Sequence, residues 1–396
     1  MKYNSVKLGE YLYIKGRIGW KGLKKKEYLE KSEYRIINGE SLTDDGIDWE
    51  KAGFISKERY DESPEIMLQP EDILISKDGT IGKIGFVDSV EMPTTVASGI
   101  FVIRNLKPDM INTRFIYHFF CSKYFKNFVT MRTEGSVIPH LYQKDFVDLD
   151  FPLPEIDTQK KIGSLLKSFD DKIAINNRIN NNLEEQAQAI FDDFFLNRDK
   201  LPNGWSKGSL LDIADYLNGL AMQKYRPLEG EQGIPVLKIK ELRQGICDNS
   251  SELCSPSIKP EYIISDGDVI FSWSGSLLVD FWCGGTCGLN QHLFKVTSSK
   301  YDKWFYYAWT KYHLAKFIAL ASAMATTMGH IKRGELANSE VIIPNSSDYG
   351  LIGGILQPIY EMIIANRTEN VRLAKLRDEL LPKLMSGELD VSDINF

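Results

Sequence analysis

Between Asp157 and Leu196, apolar side chains recur in alternating three- and four-residue steps. One series is Ile162, Phe169, Asn176, Leu183 and Ile190; the other is Leu166, Ile173, Asn180, Ala187 and Phe194. Only two asparagines interrupt this seam, which is the heptad pattern of a helix packed along its length against another helix. At 1.5 Å per residue such a helix is roughly 55–60 Å long. A small compact domain does not need a rod of that length, so further structure is expected at its ends.

On the N-terminal side the pattern differs. From Val6 to about Leu106 short apolar runs, such as Tyr34-Arg35-Ile36-Ile37, Ile73-Leu74-Ile75 and Ile100-Phe101-Val102-Ile103, are bounded by Gly, Asp and Pro. They predict strands and turns. Asn112 to Met131 then turns helical, with Phe115, Ile116, Phe119 and Phe120 making an apolar, largely aromatic face. A loop from Thr133 to His140 follows, and Phe151-Pro152-Leu153-Pro154 leads into the long helix, with Asp157 or Thr158 as its N-cap.

After Leu196 a polar linker, Asn197 to Trp205, carries Pro202 and Gly204, and the plan restarts. Asp268-Val269-Ile270-Phe271-Ser272 with Gly275 lies 196 residues after Asp72-Ile73-Leu74-Ile75-Ser76 with Gly79. His330-Ile331 lies 190 residues after His140-Leu141. The heptad seam returns at the same 190-residue distance in Ile352, Leu356, Ile359, Ile363, Asn366, Asn370, Leu373, Leu380 and Leu384. Asn366 and Asn370 match Asn176 and Asn180, and only Arg377 replaces an apolar seam residue, at the place of Ala187.

The chain is thus a duplicated unit. The first β-rich domain occupies residues 1–154, the first long helix 155–197 and the linker 198–205. The second β-rich domain occupies 206–344, the second long helix 345–387 and a tail 388–396. A short linker favours antiparallel helices with one domain at each end. Asn176 then faces Asn370 and Asn180 faces Asn366, and asparagines buried at a seam weaken packing but fix register. Pro358 is expected to kink the second helix or mark a late start, Pro382 falls in its last turn, and Gly387 ends it. The fold class is α+β, with two pseudo-repeated domains separated by an antiparallel two-helix coiled coil.

The chain has 396 residues, with 43% hydrophobic and 26% charged side chains, an ordinary globular balance. No apolar run reaches the roughly 18 residues of a membrane helix, and the first residues lack a signal peptide's apolar core. A cytoplasmic protein without a membrane partner is expected. Five cysteines, Cys121, Cys247, Cys254, Cys283 and Cys287, form no C-x-x-C pair. Isolated reduced thiols fit better than a disulfide framework or a zinc site built from the last four. The five histidines make no metal-ligand cluster, so no metal is expected.

Net charge is −6, yet Lys15, Arg17, Lys21, Lys24, Lys25 and Lys26 form a run without an acid between Tyr11 and Lys26. Such a local patch is compatible with DNA binding and equally with a solvated loop. Enzymatic motifs are missing from the sequence. There is no phosphate-binding loop, no dinucleotide fingerprint and no Asn/Asp-Pro-Pro-aromatic segment. Pro70-Glu71-Asp72 with Ser76-Lys77 faintly resembles a metal-dependent nuclease core, but Ile75 stands where its second acid belongs and Trp273 replaces the lysine in the second copy. No catalytic residue is assigned, which favours a binding or scaffolding role.

The layout resembles the specificity subunit of type I restriction–modification systems. The similarity rests on Pro152-Leu153-Pro154 with Asp157-Thr158-Gln159-Lys160-Lys161-Ile162, and on Asp171-Lys172-Ile173 with Asn176, Asn180, Leu183-Glu184 and Ala187. It rests also on Leu380-Leu381-Pro382-Lys383-Leu384-Met385-Ser386-Gly387-Glu388-Leu389. It covers nearly the whole chain. It departs at the start of the second helix, where Asn345 to Tyr349 replaces the usual polar run, and at Pro358. The resemblance implies that each β-rich domain is a target recognition domain reading one half of a split, asymmetric site on double-stranded DNA. The helix pair then sets the gap between the halves. Two methyltransferase subunits, which carry S-adenosylmethionine, and two restriction–translocase subunits, which carry ATP and Mg, are implied as partners. The subunit itself would need no cofactor and do no catalysis.

Two domains that read different half-sites differ where they read bases and agree where they hold phosphate or build the fold. His140 and His330 match and are assigned to a turn or to phosphate. Lys77 against Trp273, Asn38 against Lys238, and Ser136 against Thr326 in a divergent loop are assigned to base reading, with Asn290 and Gln291. Phosphate contacts are assigned to Lys21, Lys24, Lys25 and Lys26 in the first domain and to Lys224, Arg226, Lys332 and Arg333 in the second. Asn176, Asn180, Asn366 and Asn370 are assigned to helix register. The rival readings are a two-headed scaffold that binds only proteins and an enzyme whose catalytic set is not recognisable.

Overall fold

In a computed structural model, the described residues are 3–18, 22–43, 46–133, 140–147, 149–198, 200–323 and 331–391. The chain forms two compact units. One comprises Met1–Asp171 with Lys375–Phe396, the other Lys172–Ala374. Each long helix contributes residues to both.

The first unit is built on a four-stranded antiparallel sheet. Its order is Leu12–Gly16, Ile100–Asn105, Ile73–Ser76, Ile84–Phe86. A second sheet places Tyr34–Ile37 between antiparallel Gly53–Ile55 and parallel Thr94–Val96. Asn4–Lys7 pairs antiparallel with Asp150–Leu153. The second unit repeats the plan. Asp215–Asn218, Leu293–Thr297, Val269–Ser272 and Leu278–Phe281 form its four-stranded sheet. Ile234–Leu237 runs parallel to Cys287–Leu289, and Ser206–Ser209 pairs with Glu340–Ile343.

Bracing contacts repeat with the strands. The buried Asp72 carboxylate accepts from Arg104 Nε at 2.7 Å and Nη2 at 2.8 Å and from the Gln69 amide at 2.7 Å. In the second unit Asp268 takes Lys295 at 2.8 Å and the Ser265 amide at 2.9 Å. Glu71 holds a left-handed backbone (φ 69°) at the position that Gly267 (φ 84°) fills in the repeat, where glycine carries no Cβ penalty. Asp72, one of the residues in the faint nuclease resemblance, is thus ion-paired with Arg104.

Several sequence expectations are corrected. The helical stretch from Asn112 comprises two helices, Thr113–Cys121 and Lys123–Thr133. Ser122 separates them, and its hydroxyl accepts from the Phe125 amide at 3.2 Å. The first long helix begins at Ile156, so Asp157 and Thr158 lie in its first turn rather than at its cap. It runs to Phe191 and closes with a π-helical turn, Asp192–Leu196. The second runs from Ser346 to Ser386 without interruption at Pro358, so the late start does not occur. The carbonyl that Pro358 leaves without a helical donor belongs to Gly354, which is exposed and open to water. Gly387 ends this helix at φ 73°, with the Glu388 amide donating to Lys383 O at 2.9 Å.

The cores form where the seams predict. In the first unit Ile162 and Leu166 share a buried cluster with Phe115, Phe120, Phe146, Phe151, Leu381 and Leu384. In the second unit Ala187 leads into Phe191 and Phe195, which pack with Trp205, Phe305 and Trp309. The seam residues Phe169, Ile173, Leu183, Ile190 and Phe194 are only half-buried. A straight helix drifts by about 20° per heptad relative to a strict seven-residue repeat, and the π turn adds to that drift.

Candidate nucleic-acid interface

Where each long helix meets its own unit, one side chain does the anchoring. Gln159 is completely buried. Its Oε1 accepts from the Asn112 amide at 2.9 Å, and its Nε2 donates to Pro154 O at 2.8 Å and Met110 O at 3.0 Å. Tyr349 takes the matching place in the second unit. Its hydroxyl accepts from the Asp302 amide at 2.7 Å and donates to Asp302 Oδ2 at 3.0 Å. The departure from the family pattern at the start of the second helix therefore preserves the anchor with a different side chain.

Within the second unit the asparagines meet in pairs. Asn176 Nδ2 donates to Asn370 Oδ1 at 2.8 Å and to Glu369 Oε2 at 2.8 Å, and Asn366 Nδ2 donates to Asn180 Oδ1 at 2.9 Å. Rising numbers on one segment meet falling numbers on the other, so the two helical segments run antiparallel there. Asn176 Oδ1 and Asn180 Nδ2 are buried without a partner among the described residues. Arg367 links this seam to the sheet by donating to Glu184 at 2.6 Å and Asp280 at 2.5 Å. In the first unit Arg377 donates to Asp170 at 2.7 Å. Burial, then Arg377 and Arg114, push the neighbouring His118 down to about 3.

The ends of the two four-stranded sheets carry the polar positions assigned to DNA. Lys77 follows the strand Ile73–Ser76, and its carbonyl accepts from the Leu141 amide at 3.1 Å. Trp273 follows Val269–Ser272, and its carbonyl accepts from the Ile331 amide at 3.0 Å. The divergent pair thus occupies one structural position, held by one repeated hydrogen bond. His140 Nδ1 bonds the Asp78 carboxylate, and its ring lies 4.4 Å from that of Tyr142. In the second unit His292, next to the assigned Asn290 and Gln291, bonds Ser274 Oγ through Nδ1 at 3.1 Å and Gln291 Nε2 through Nε2 at 3.3 Å. Asn290 is buried, and its side-chain oxygen accepts from the His292 amide at 3.2 Å.

Other assigned residues lie elsewhere. Asn38 is a turn former: its Oδ1 accepts from the amides of Glu40 at 2.8 Å and Ser41 at 3.1 Å. Lys24, Lys25 and Lys26 are exposed on a single 3-10 turn. Glu27 pins that turn by accepting from the Lys24 amide at 2.7 Å and by pairing its charge with Arg59, 3.1 Å away. Arg17, part of the same basic run, is buried and donates to Val96 O at 3.1 Å, so it stitches the fold together. Arg226 and Lys238 both reach Glu252, Arg226 at 2.8 Å. Those two bonds, Lys238 first, hold the exposed Glu252 below the usual carboxylate range. Lys224, Lys332 and Arg333 are exposed. Lys21, Ser136, Thr326 and His330 lie outside the described residues.

The cysteines form no disulfide. Among the described residues no group of three or more His, Cys, Asp or Glu side chains could hold a metal ion. No described helix is long and apolar enough to cross a membrane.

Comparison with known proteins accounts for this duplicated plan. The family model for the type I restriction modification DNA specificity domain matches residues 2–185 and again 202–374. The MjaIX type I restriction enzyme specificity subunit of Methanocaldococcus jannaschii is 27% identical over 337 residues, covering 78% of this chain and 76% of that protein. The EcoKI specificity subunit of Escherichia coli K12 is 26% identical over 400 residues, covering 91% and 84%. The crystal structure of the type I restriction-modification S subunit from M. genitalium shares the fold, with a TM-score of 0.58 at 16% identity over 97% of this chain and 96% of that one. Two consecutive matches, one on each unit, show that the chain belongs to the type I restriction modification DNA specificity family.

Proposed function

We propose that this chain is the DNA sequence-recognition subunit of a type I restriction–modification complex. Each unit reads one half of a split, asymmetric site on double-stranded DNA, and the paired long helices act as an antiparallel coiled coil that sets the spacer. The chain is the non-catalytic member. Two methyltransferase subunits carrying S-adenosylmethionine bind it, and two restriction–translocase subunits using ATP and Mg join for cleavage. The observation that carries this reading is that the same sheet plan and the same backbone stitch occur twice, with different side chains at the stitched position. A duplicated frame with divergent ends suits the reading of two unlike half-sites. Exposed Lys24, Lys25, Lys26, Lys224, Lys332 and Arg333 suit phosphate contact.

The test is methylome sequencing of a host expressing this chain with its methyltransferase partner. The expected result is one new bipartite methylated motif that depends on this chain. A host methylome unchanged by the chain in the presence of an active methyltransferase would overturn the proposal. The chain alone should neither methylate nor cut DNA.

A further inference from the structure

The register of the two four-stranded sheets equates residues that sequence spacing alone does not. In the first unit Phe101 pairs with Ile75 on one side and Gly16 on the other. In the second unit Phe294 pairs with Phe271 and Asn218. Ile75 and Phe271 lie two residues before Lys77 and Trp273. Phe101 therefore matches Phe294, and Gly16 matches Asn218.

These matched residues build one platform with two occupants. Lys77 Nζ lies 4.9 Å from the centroid of the Phe101 ring. The Trp273 ring lies 5.6 Å from that of Phe294, tilted by 31°. A Cβ at Gly16 would sit 3.1 Å from Ile100 O, 3.2 Å from Phe101 Cδ1 and 3.4 Å from Lys77 Cε. The glycine thus leaves room for the lysine stem to lie on the ring. In the second unit that place is filled by Asn218, whose Oδ1 accepts from Trp273 Nε1 at 2.9 Å, fixing the plane of the indole.

We infer that Lys77 and Trp273 are equivalent, interchangeable base-reading side chains, each seated on a phenylalanine and set by its neighbour, Gly16 or Asn218, as a positioning residue. This rests on the DNA-recognition reading above. The chemistry of the occupant specifies the base. The lysine ammonium only donates, and it fits the O6 and N7 acceptors of guanine in the major groove. The indole N–H is engaged by Asn218, so Trp273 presents an apolar surface that fits the thymine methyl group. One half-site then contains a guanine read through Lys77, and the other contains an A·T pair read through Trp273.

The experiment uses the full chain co-expressed with its methyltransferase partner, with the methylated motif as the readout. Lys77→Met keeps the stem on Phe101 and removes only the charge. It should lower discrimination for guanine at one base pair of one half-site by about tenfold or more, with the other half-site unchanged. Lys77→Arg should retain guanine. Gly16→Asn with Lys77→Trp should convert that base pair toward A·T. Asn218→Ala should relax the motif at one A·T pair of the opposite half-site without changing the first. A wild-type chain that yields no bipartite motif overturns the DNA reading and this inference with it. A wild-type motif that Lys77→Met and Asn218→Ala both leave intact overturns the inference alone. If the double variant fails to methylate, Lys77→Met decides.

Discussion

Gln159 shows how much one side chain can carry. It satisfies one backbone amide and two carbonyls from inside the first unit. Gln159→Leu keeps the bulk but leaves those groups unpaired, each unmade bond costing about 1–3 kcal/mol. With three such groups the first unit should lose at least about 3 kcal/mol in urea unfolding. His118 makes a pH-dependent contribution. Its folded pKa is about 3 against an ordinary 6.5, owing to burial and then to Arg377 and Arg114. Asp170 stands 3.9 Å from its Nδ1, and burial raises that carboxyl, opposed by Arg377. Because the native histidine stays neutral, only the unfolded chain takes up this proton between pH 6.5 and about 3. Stability is therefore full above that window and falls as pH drops through it, by up to about 1.4 kcal/mol per pH unit. Unfolding measured at about pH 7 and about pH 5 should show a smaller acid loss in His118→Phe than in the wild type.

At the scale of elements, the long helices owe their seam to apolar periodicity and their polar interruption to four asparagines. The pairs Asn176–Asn370 and Asn180–Asn366 hydrogen-bond, yet two of their buried polar atoms stay unpaired. Polar groups of this kind lower stability while penalising shifted pairings. Replacing all four with leucine should raise the thermal stability of the second unit by roughly 1–4 kcal/mol. Replacing Asn366 alone should lower it by about 1–2 kcal/mol, because Asn180 Oδ1 loses its donor. Thermal unfolding of the two variants should move in opposite directions; movement in the same direction would remove the register argument. The strands need no such device. Their register follows from turn residues such as Gly79 and Gly275, both at positive φ.

At the scale of the molecule, the proposed ruler can be measured. Deleting one heptad from each long helix shortens both by about 10 Å, close to three base pairs at about 3.4 Å each. The methylated motif should keep both half-sites and lose roughly three base pairs of spacer. Exchanging residues 1–154 for those of another specificity subunit should change one half-site only. A motif that changes in both halves after that exchange would mean that the two units do not read independently.

The sequence by itself determined the duplication, the two long helices, their seam with its matched asparagines, and the helix stop at Gly387. Those features are local: a heptad or a Gly turn is written within a few residues, and repetition exposes it twice. Tertiary structure decided what depends on distant partners. Nothing near Arg17 announces that its guanidinium is buried against Val96 O, so the sequence reads it with the surface lysines. Nothing near Asn38, assigned to base reading, announces that its side-chain oxygen holds its own turn. Gln159 and Tyr349 share a role without sharing chemistry. Gly16 matches Asn218 only because each pairs across a strand with the phenylalanine beneath the stitched position. Strand register joins residues tens of positions apart through backbone hydrogen bonds, and insertions between strands shift the numbering without shifting the ladder. The platform that supports Lys77 and Trp273 is therefore visible only once the sheets have formed.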